Sequence, residues 1–170
     1  MKNKKVEEKK SFFREYVPYL VVLLVVILIK KFVVSPVKVN GKSMMNTLHD
    51  GDIMILNIVG YQFHDIKRFD IVVVREKNEY LIKRVIGLPG ETVEYKNNKL
   101  YINDKLMKES YGSDVTDDFF AVVDKDHYFV MGDNRTNSMD SRVLGSFSKK
   151  DIVGKTNLIV FPFNRIGVKK

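Results

Sequence analysis

Leu81-Ile82-Lys83-Arg84-Val85-Ile86 reads as a strand, and the way it is covered decides the fold. Side chains alternate along a strand, so Lys83 and Arg84 point to opposite faces. Each face also carries aliphatics: Leu81 and Val85 beside Lys83, Ile82 and Ile86 beside Arg84. If both faces are covered, at least one cation is inside. Arginine keeps its proton and, once buried, needs a carboxylate. Lysine gives up its proton when desolvated, and a neutral amine is a competent general base for a serine. The same residues also suit an edge strand with two surface cations, and this strand alone does not choose between the two.

The flanking chain is written in the same idiom. Residues 37–39 form an alternating edge-strand pattern after a break at Ser35-Pro36. Residues 53–58 are nearly continuous in apolar residues, so cover on both faces is expected. Residues 69–74 form another strand, and Leu88-Pro89-Gly90 turns the chain. Residues 92–95 and 100–102 flank Asn97-Asn98 as a hairpin, and 105–107 follow. Residues 109–118 read as an exposed polar loop, 119–123 and 128–131 as short strands, and 152–161 as the last strand. Helical periodicity is nearly absent beyond the N-terminal apolar run. The expected fold is all-β: a small, irregular β-sandwich or barrel-like domain behind one N-terminal transmembrane helix.

That helix is read from residues 17–34. Val17 to Ile29 is VPYLVVLLVVILI, Lys30-Lys31 interrupts it, and Phe32-Val33-Val34 resumes it. The first part alone is short of the ~20 residues a span needs. Snorkelling lysine stems and the resumed run supply the rest. A cleavable leader fits the basic start, but no small-x-small site follows, and Pro36 stands just after the nearest candidate. A buried core helix is the other reading, but the run has no face polar enough for water. The expectation is an uncleaved anchor over 17–35, a basic cytoplasmic N-terminus over 1–16, and an outer β-rich domain over 36–170 with a sub-lobe at 91–127. Six basic residues against three acidic ones before Val17 favour an inside N-terminus.

The chain has 170 residues, a net charge of +8 and no cysteine, which excludes disulfides, thiolate nucleophiles and Cys-based metal sites. Its three histidines show no ligand spacing, so no metal is expected. The basic balance suits an anionic membrane surface better than nucleic acid, because the cations are spread out and no recognition motif accompanies them.

Just past the apolar run lies Asn40-Gly41-Lys42-Ser43-Met44-Met45-Asn46-Thr47-Leu48-His49-Asp50-Gly51-Asp52, a serine in a turn that needs a base to become a nucleophile. Gly41-Lys42-Ser43 imitates the end of a phosphate-binding loop, but Pro36 stands where that loop requires glycine. A triad using His49 is conceivable, though His49 is close to Ser43 in the same turn. Farther on, Gly132-Asp133-Asn134-Arg135-Thr136-Asn137-Ser138-Met139-Asp140-Ser141-Arg142 packs two carboxylates and two guanidiniums into eleven residues, which suits internal pairing. A polar loop held by its own turns would look similar.

Taken in order, these motifs resemble the type I signal peptidases, membrane-anchored Ser-Lys proteases that remove signal peptides from exported proteins. The resemblance runs through the anchor, Gly41-Lys42-Ser43-Met44, Leu48-x-Asp50-Gly51-Asp52, Lys83 to Gly90, Gly132 to Arg142, and Ile152-Val153-Gly154-Lys155. It implies Ser43 as nucleophile, Lys83 as general base and Ser138 as the hydroxyl that orients the lysine. It implies bracing ion pairs Arg84–Asp133 and Asp140–Arg142, and a shallow pocket for a small residue lined by Met44, Leu81 and Ile82. The Ser43 N–H would serve the oxyanion, without the side-chain donor some members carry at the position of Gly41. It implies no cofactor, secretory pre-proteins and the lipid bilayer as partners, and a single-pass place in the cell membrane with the catalytic domain outside. An apolar surface near Met44 and Met45 is expected to touch the bilayer. Asn46 stands where the family usually has proline, so a looser turn and lower activity are expected. Three other readings compete: a silent peptide-binding module, suggested by Asn46 alone; a Ser-Lys self-cleaving repressor, which would carry a DNA-binding domain in place of the apolar run; and a nucleic-acid binder.

Overall fold

A computed structural model describes residues 14–27, 34–58, 65–112 and 115–169. Residues 14–27 form a helix, α1, exposed throughout. Among the described residues no helix is long and apolar enough to cross a membrane. Residues 28–33, which the expected anchor needs for its length, and 1–13 of the basic N-terminus lie outside the described residues.

From residue 34 onward the described chain is mostly β-sheet, as the apolar runs and turn signals foretold. The strands are β1 Val34–Lys38, β2 Ile53–Asn57, β3 Ile71–Glu76, β4 Glu79–Gly87, β5 Thr92–Lys96, β6 Lys99–Ile102, β7 Lys105–Met107, β8 Phe119–Val122, β9 His127–Met131, β10 Phe147–Ser148, β11 Ile152–Phe161 and β12 Gly167–Val168. The main sheet runs β1-β2-β11-β3-β4-β9-β10, with β12 beside β11; a second sheet runs β7-β6-β5-β8. Asn97 and Asn98 both take positive φ, as do Asn103 and Asp104, so β5–β6 and β6–β7 are closed by turns that asparagine and aspartate tolerate.

Two corrections concern strand ends and faces. Ser35 and Pro36 do not break the chain; they lie inside β1, with Pro36 opposite Ile55. β1 is an edge strand, and an edge tolerates a residue with no N–H to donate. In β2 only Met54 and Leu56 are fully buried, while Ile53 and Ile55 are half-covered on the other face. β2 lies second from the sheet edge, where less chain is available to cover it.

Among the described residues the apolar core falls into three clusters. Val72, Val74, Val85, Tyr128, Val130 and Phe147 pack on one face of the main sheet. Ile86, Val93, Tyr95, Leu100, Phe129 and Met131 join the two sheets. Val39, Met44, Leu48, Met54, Ile71 and Ile159 lie under the loop that joins β1 to β2. Leu81 packs against the first cluster and Ile82 against the third, so β4 is covered on both faces. Lys83 and Arg84 are therefore both inside, at 2% and 0% exposure.

β4 changes character along its length. On one side it pairs with β3 from Glu79 to Arg84. On the other, β9 reaches only Arg84, Val85 and Gly87. Residues 79–83 thus have an edge without a strand partner among the described residues, and so does β1.

Candidate active site

The two unpaired edges bound a cleft of about 610 Å³, with Val37 to Asn40 on one wall, Glu79 to Lys83 on the other, and Ser43 and Met44 at its base. Ser43 Oγ and Lys83 Nζ are hydrogen-bonded at 2.8 Å. Burial is the main cause that drives the lysine down to about 8, against 10.5 for a free side chain; Asp140 and Asp133 pull it back up, and Arg142 pushes it down further. A serine hydroxyl thus faces an amine of which about a tenth is neutral at pH 7, against well under a hundredth for a free lysine, the pairing that nucleophilic catalysis requires.

The serine's backbone is fixed from the 132–134 loop. Asn134 N donates to the Ser43 carbonyl at 3.0 Å, and Asn134 Nδ2 donates to the Lys42 carbonyl at 3.0 Å. The approach is close: a Cβ on Gly132 would meet Ser138 Oγ at 2.3 Å and the Ser43 carbonyl oxygen at 2.4 Å. Only glycine fits there. Gly41 takes φ of +89°, which a residue with a Cβ adopts only under strain, so the missing side-chain donor matches the backbone. The Ser43 N–H makes no hydrogen bond among the described residues.

Arg84 and Asp133 form a buried two-pronged pair, Nε to Oδ1 at 2.8 Å and Nη2 to Oδ2 at 2.6 Å. Thr47 Oγ1 donates to the same carboxylate at 2.5 Å. Arg142 pairs with Asp140 through Nε and Nη2, each at 2.9 Å. Asp140 also caps the short helix α2, Ser141–Leu144, and accepts from Gly132 N at 3.0 Å. Burial pushes the Asp140 carboxyl up, but Arg142 and the Gly132 N–H outweigh it and hold it below the usual range. Ser138 Oγ is buried beside the Asp140 carboxylate, which it helps to hold down, although no hydrogen bond of ordinary geometry joins it to a described residue. The structure therefore sets Ser138 against Gly132 without a bond to Lys83. Leu81 and Ile82 line the cleft, as does Met44.

Met44 is 1% exposed, so of the two methionines expected to meet the bilayer only the half-buried Met45 reaches the surface. The Met44 side chain turns inward because Met44 and Leu48 together cover Ile71 and Met54. One group of exposed apolar residues lies at the end of β11 and just beyond it: Phe161, Phe163, Ile166 and Val168. Phe161 pairs with Ile53, which pairs with Lys38, so this turn flanks the cleft end of the sheet.

Several functional contacts escaped the sequence reading. Tyr111, in the loop expected to be exposed, stacks on the Arg84 guanidinium at 3.7 Å. Glu109 and Thr116 of the same loop hold Arg135 together with the Tyr95 hydroxyl. Eight charged or hydroxyl side chains among the ten residues 109–118 were the available signal, since buried guanidiniums need such partners. Asp52, 1% exposed, is gripped by Arg165 from 113 positions away, and nothing local in the sequence points to that pair. Among the described residues no group of acidic and histidine side chains could hold a metal ion.

Comparison with known proteins places the geometry in context. A family model described as "Signal peptidase, peptidase S26" matches residues 13–161. A Bacillus amyloliquefaciens protein named signal peptidase I is 45% identical, over 93% of this chain and 93% of that one. Signal peptidase I S of Bacillus subtilis strain 168 is 41% identical, over 98% of both chains. The crystal structure of a signal peptidase I from Enterococcus faecalis V583 superposes with a TM-score of 0.51 at 34% identity, covering 54% of this chain and 97% of that one.

Proposed function

The chain belongs to the S26 family of signal peptidases, it is a signal peptidase I-type hydrolase that removes signal peptides as a serine peptidase, and we propose that Ser43 and Lys83 carry its chemistry. The observation that supports this is the 2.8 Å contact between Ser43 Oγ and a lysine amine buried to 2% exposure.

The substrate is the cleavage region of a secretory pre-protein, taken up as a strand between the free edges of β1 and of residues 79–83. Main-chain hydrogen bonds to both edges set its register. Met44, Leu81 and Ile82 form the apolar wall for the small residue before the cut, so cleavage follows a small-x-small sequence. Neutral Lys83 takes the Ser43 proton as Oγ bonds the scissile carbonyl carbon. The Ser43 N–H faces the oxygen that becomes the oxyanion; one such donor is often worth ~3 kcal/mol. The carbon–nitrogen bond breaks, and the Lys83 ammonium gives its proton to the leaving amine. Lys83 then draws a proton from a water that attacks the acyl-enzyme and returns it to Ser43. Ser138 is the hydroxyl that orients the amine; its burial beside Gly132 and Asp140, in the loop that fixes Ser43, supports that role. Arg84–Asp133 and Asp140–Arg142 brace the loops on either side. No cofactor enters any step.

The enzyme works at the cell membrane, anchored through the apolar run that starts at residue 17 and ends before β1, since Val34 and Ser35 belong to the sheet, with its N-terminus inside and its β-domain outside. The apolar turn Phe161 to Val168 at the cleft end of the sheet supports this placement, because it would meet the bilayer from which the pre-protein arrives.

The test is cleavage of a purified pre-protein in lipid by wild type, Ser43→Ala and Lys83→Ala. Wild type is expected to cut after a small-x-small site and both variants to be inactive. Retained cutting by Lys83→Ala would refute the lysine's role.

A further inference from the structure

The loop from Ser43 to Asp52 carries the nucleophile, and two arginines grip it from opposite sides. Thr47 is where the grips meet. Its hydroxyl bonds Asp133, the partner of Arg84. Its carbonyl accepts from Arg165 Nη2 at 3.4 Å. The second grip centres on Asp52. Arg165 Nε and Nη2 each reach one oxygen of that carboxylate at 3.0 Å, and Arg165 Nη1 lies 3.4 Å from His49 Nε2. Asp52 Oδ2 in turn accepts from His49 N at 2.9 Å, closing the loop's last turn.

Asp52 is almost wholly buried, and a buried carboxylate persists only if a cation and hydrogen bonds satisfy it. Arg165 is its only cationic partner in a salt bridge among the described residues. The guanidinium comes from a short 3-10 turn, Phe163–Arg165, after β11. It touches neither the cleft wall at β4 nor Lys83.

We propose that Arg165 is a positioning residue for the reaction: by locking Asp52 and the Thr47 carbonyl, it holds the nucleophile loop so that Ser43 Oγ stays in line with Lys83. This rests on the serine–lysine reading above. Displacing a reacting group by about 1 Å can cost ~100-fold in rate while leaving binding intact.

The experiment compares wild type, Arg165→Ala, Arg165→Lys, Asp52→Asn and the Arg165→Ala/Asp52→Asn double variant on one pre-protein. Arg165→Ala is expected to lower kcat about 10- to 100-fold with KM within twofold, because the cleft walls are untouched. Its pH limb should stay where wild type has it, since Lys83 keeps its surroundings. Arg165→Lys should recover part of kcat, restoring the charge without the fork. The double variant should be no slower than the worse single one, since both remove one interaction. Hydrogen exchange over residues 43–52 covers the case of a poorly folded alanine variant: Arg165→Lys should speed exchange in this loop and nowhere in β3 or β4. An unchanged kcat for Arg165→Ala, fully additive losses, or uniform exchange throughout the domain would each overturn the inference while leaving the serine–lysine reading intact. A wild type that leaves the pre-protein uncut would overturn both.

Discussion

At the scale of single residues, Lys83 links stability to activity. A free lysine side chain holds its proton up to 10.5, whereas in the folded protein Lys83 holds it only to about 8. Between those values the unfolded chain binds more protons, so folding stability rises with pH across that window. Below about 8 the cost of keeping a cation inside is fully present, and above 10.5 it is gone. Lys83→Met should therefore melt at a higher temperature than wild type at pH 6.5, and the gain should shrink by pH 10; parallel thermal melts check this. With Lys83 as the proposed base, the same proton governs rate. kcat/KM for wild type should climb about tenfold per pH unit below about 8 and level off above it, read from initial rates of pre-protein cleavage. Gly132 is the second decisive position. Gly132→Ala sets a methyl against Ser138 Oγ and the Ser43 carbonyl, so about 1–3 kcal/mol of stability and most of kcat should be lost, measured by denaturant unfolding and single-turnover cleavage.

Among elements, the polar loop after β9 is tied to the second sheet by Arg135. Its guanidinium reaches Tyr95 of β5, Glu109 and Thr116, and its Nε donates to the Gly132 carbonyl at 3.0 Å. Desolvation weighs on the Arg135 cation, but the bonds from Glu109 and Tyr95 more than restore it. Arg135→Ala strands those partners, so a loss of about 3 kcal/mol and a fall in melting temperature of roughly 10 °C are expected in calorimetry. This contact also marks the limit of the sequence as a guide. Strands announce themselves locally, because apolar runs between turn residues are short-range patterns. β11 was placed from residue 152 to 161 for that reason. The pairings Arg135–Glu109 and Asp52–Arg165 join loops that only the finished sheets bring together, and no period or spacing encodes them. Pro36 misled for a related reason: whether a proline ends a strand depends on whether the strand lies at an edge, a property of the whole sheet.

For the whole molecule, the arrangement of surfaces matters most. The cleft, the nucleophile loop and the exposed turn from Phe161 to Val168 lie at one end of the main sheet. Phe163 is 79% exposed and stacks edge-on with Phe161, at 5.6 Å between ring centroids. Phe163→Glu should slow cleavage of a pre-protein embedded in vesicles several-fold, while cleavage in detergent stays within twofold; equal effects in both would remove this turn from the membrane account. The unpaired half of β4 reaches further. A peptide held by the carbonyls and amides of two strand edges is recognised through atoms every residue shares. On the proposed binding mode, exported proteins can change most of the sequence around their cut sites without waiting for a matching change in the enzyme. One gatekeeper of this kind can serve a diverging clientele, and its own lineage stays free of the lock-step co-evolution that side-chain recognition would impose.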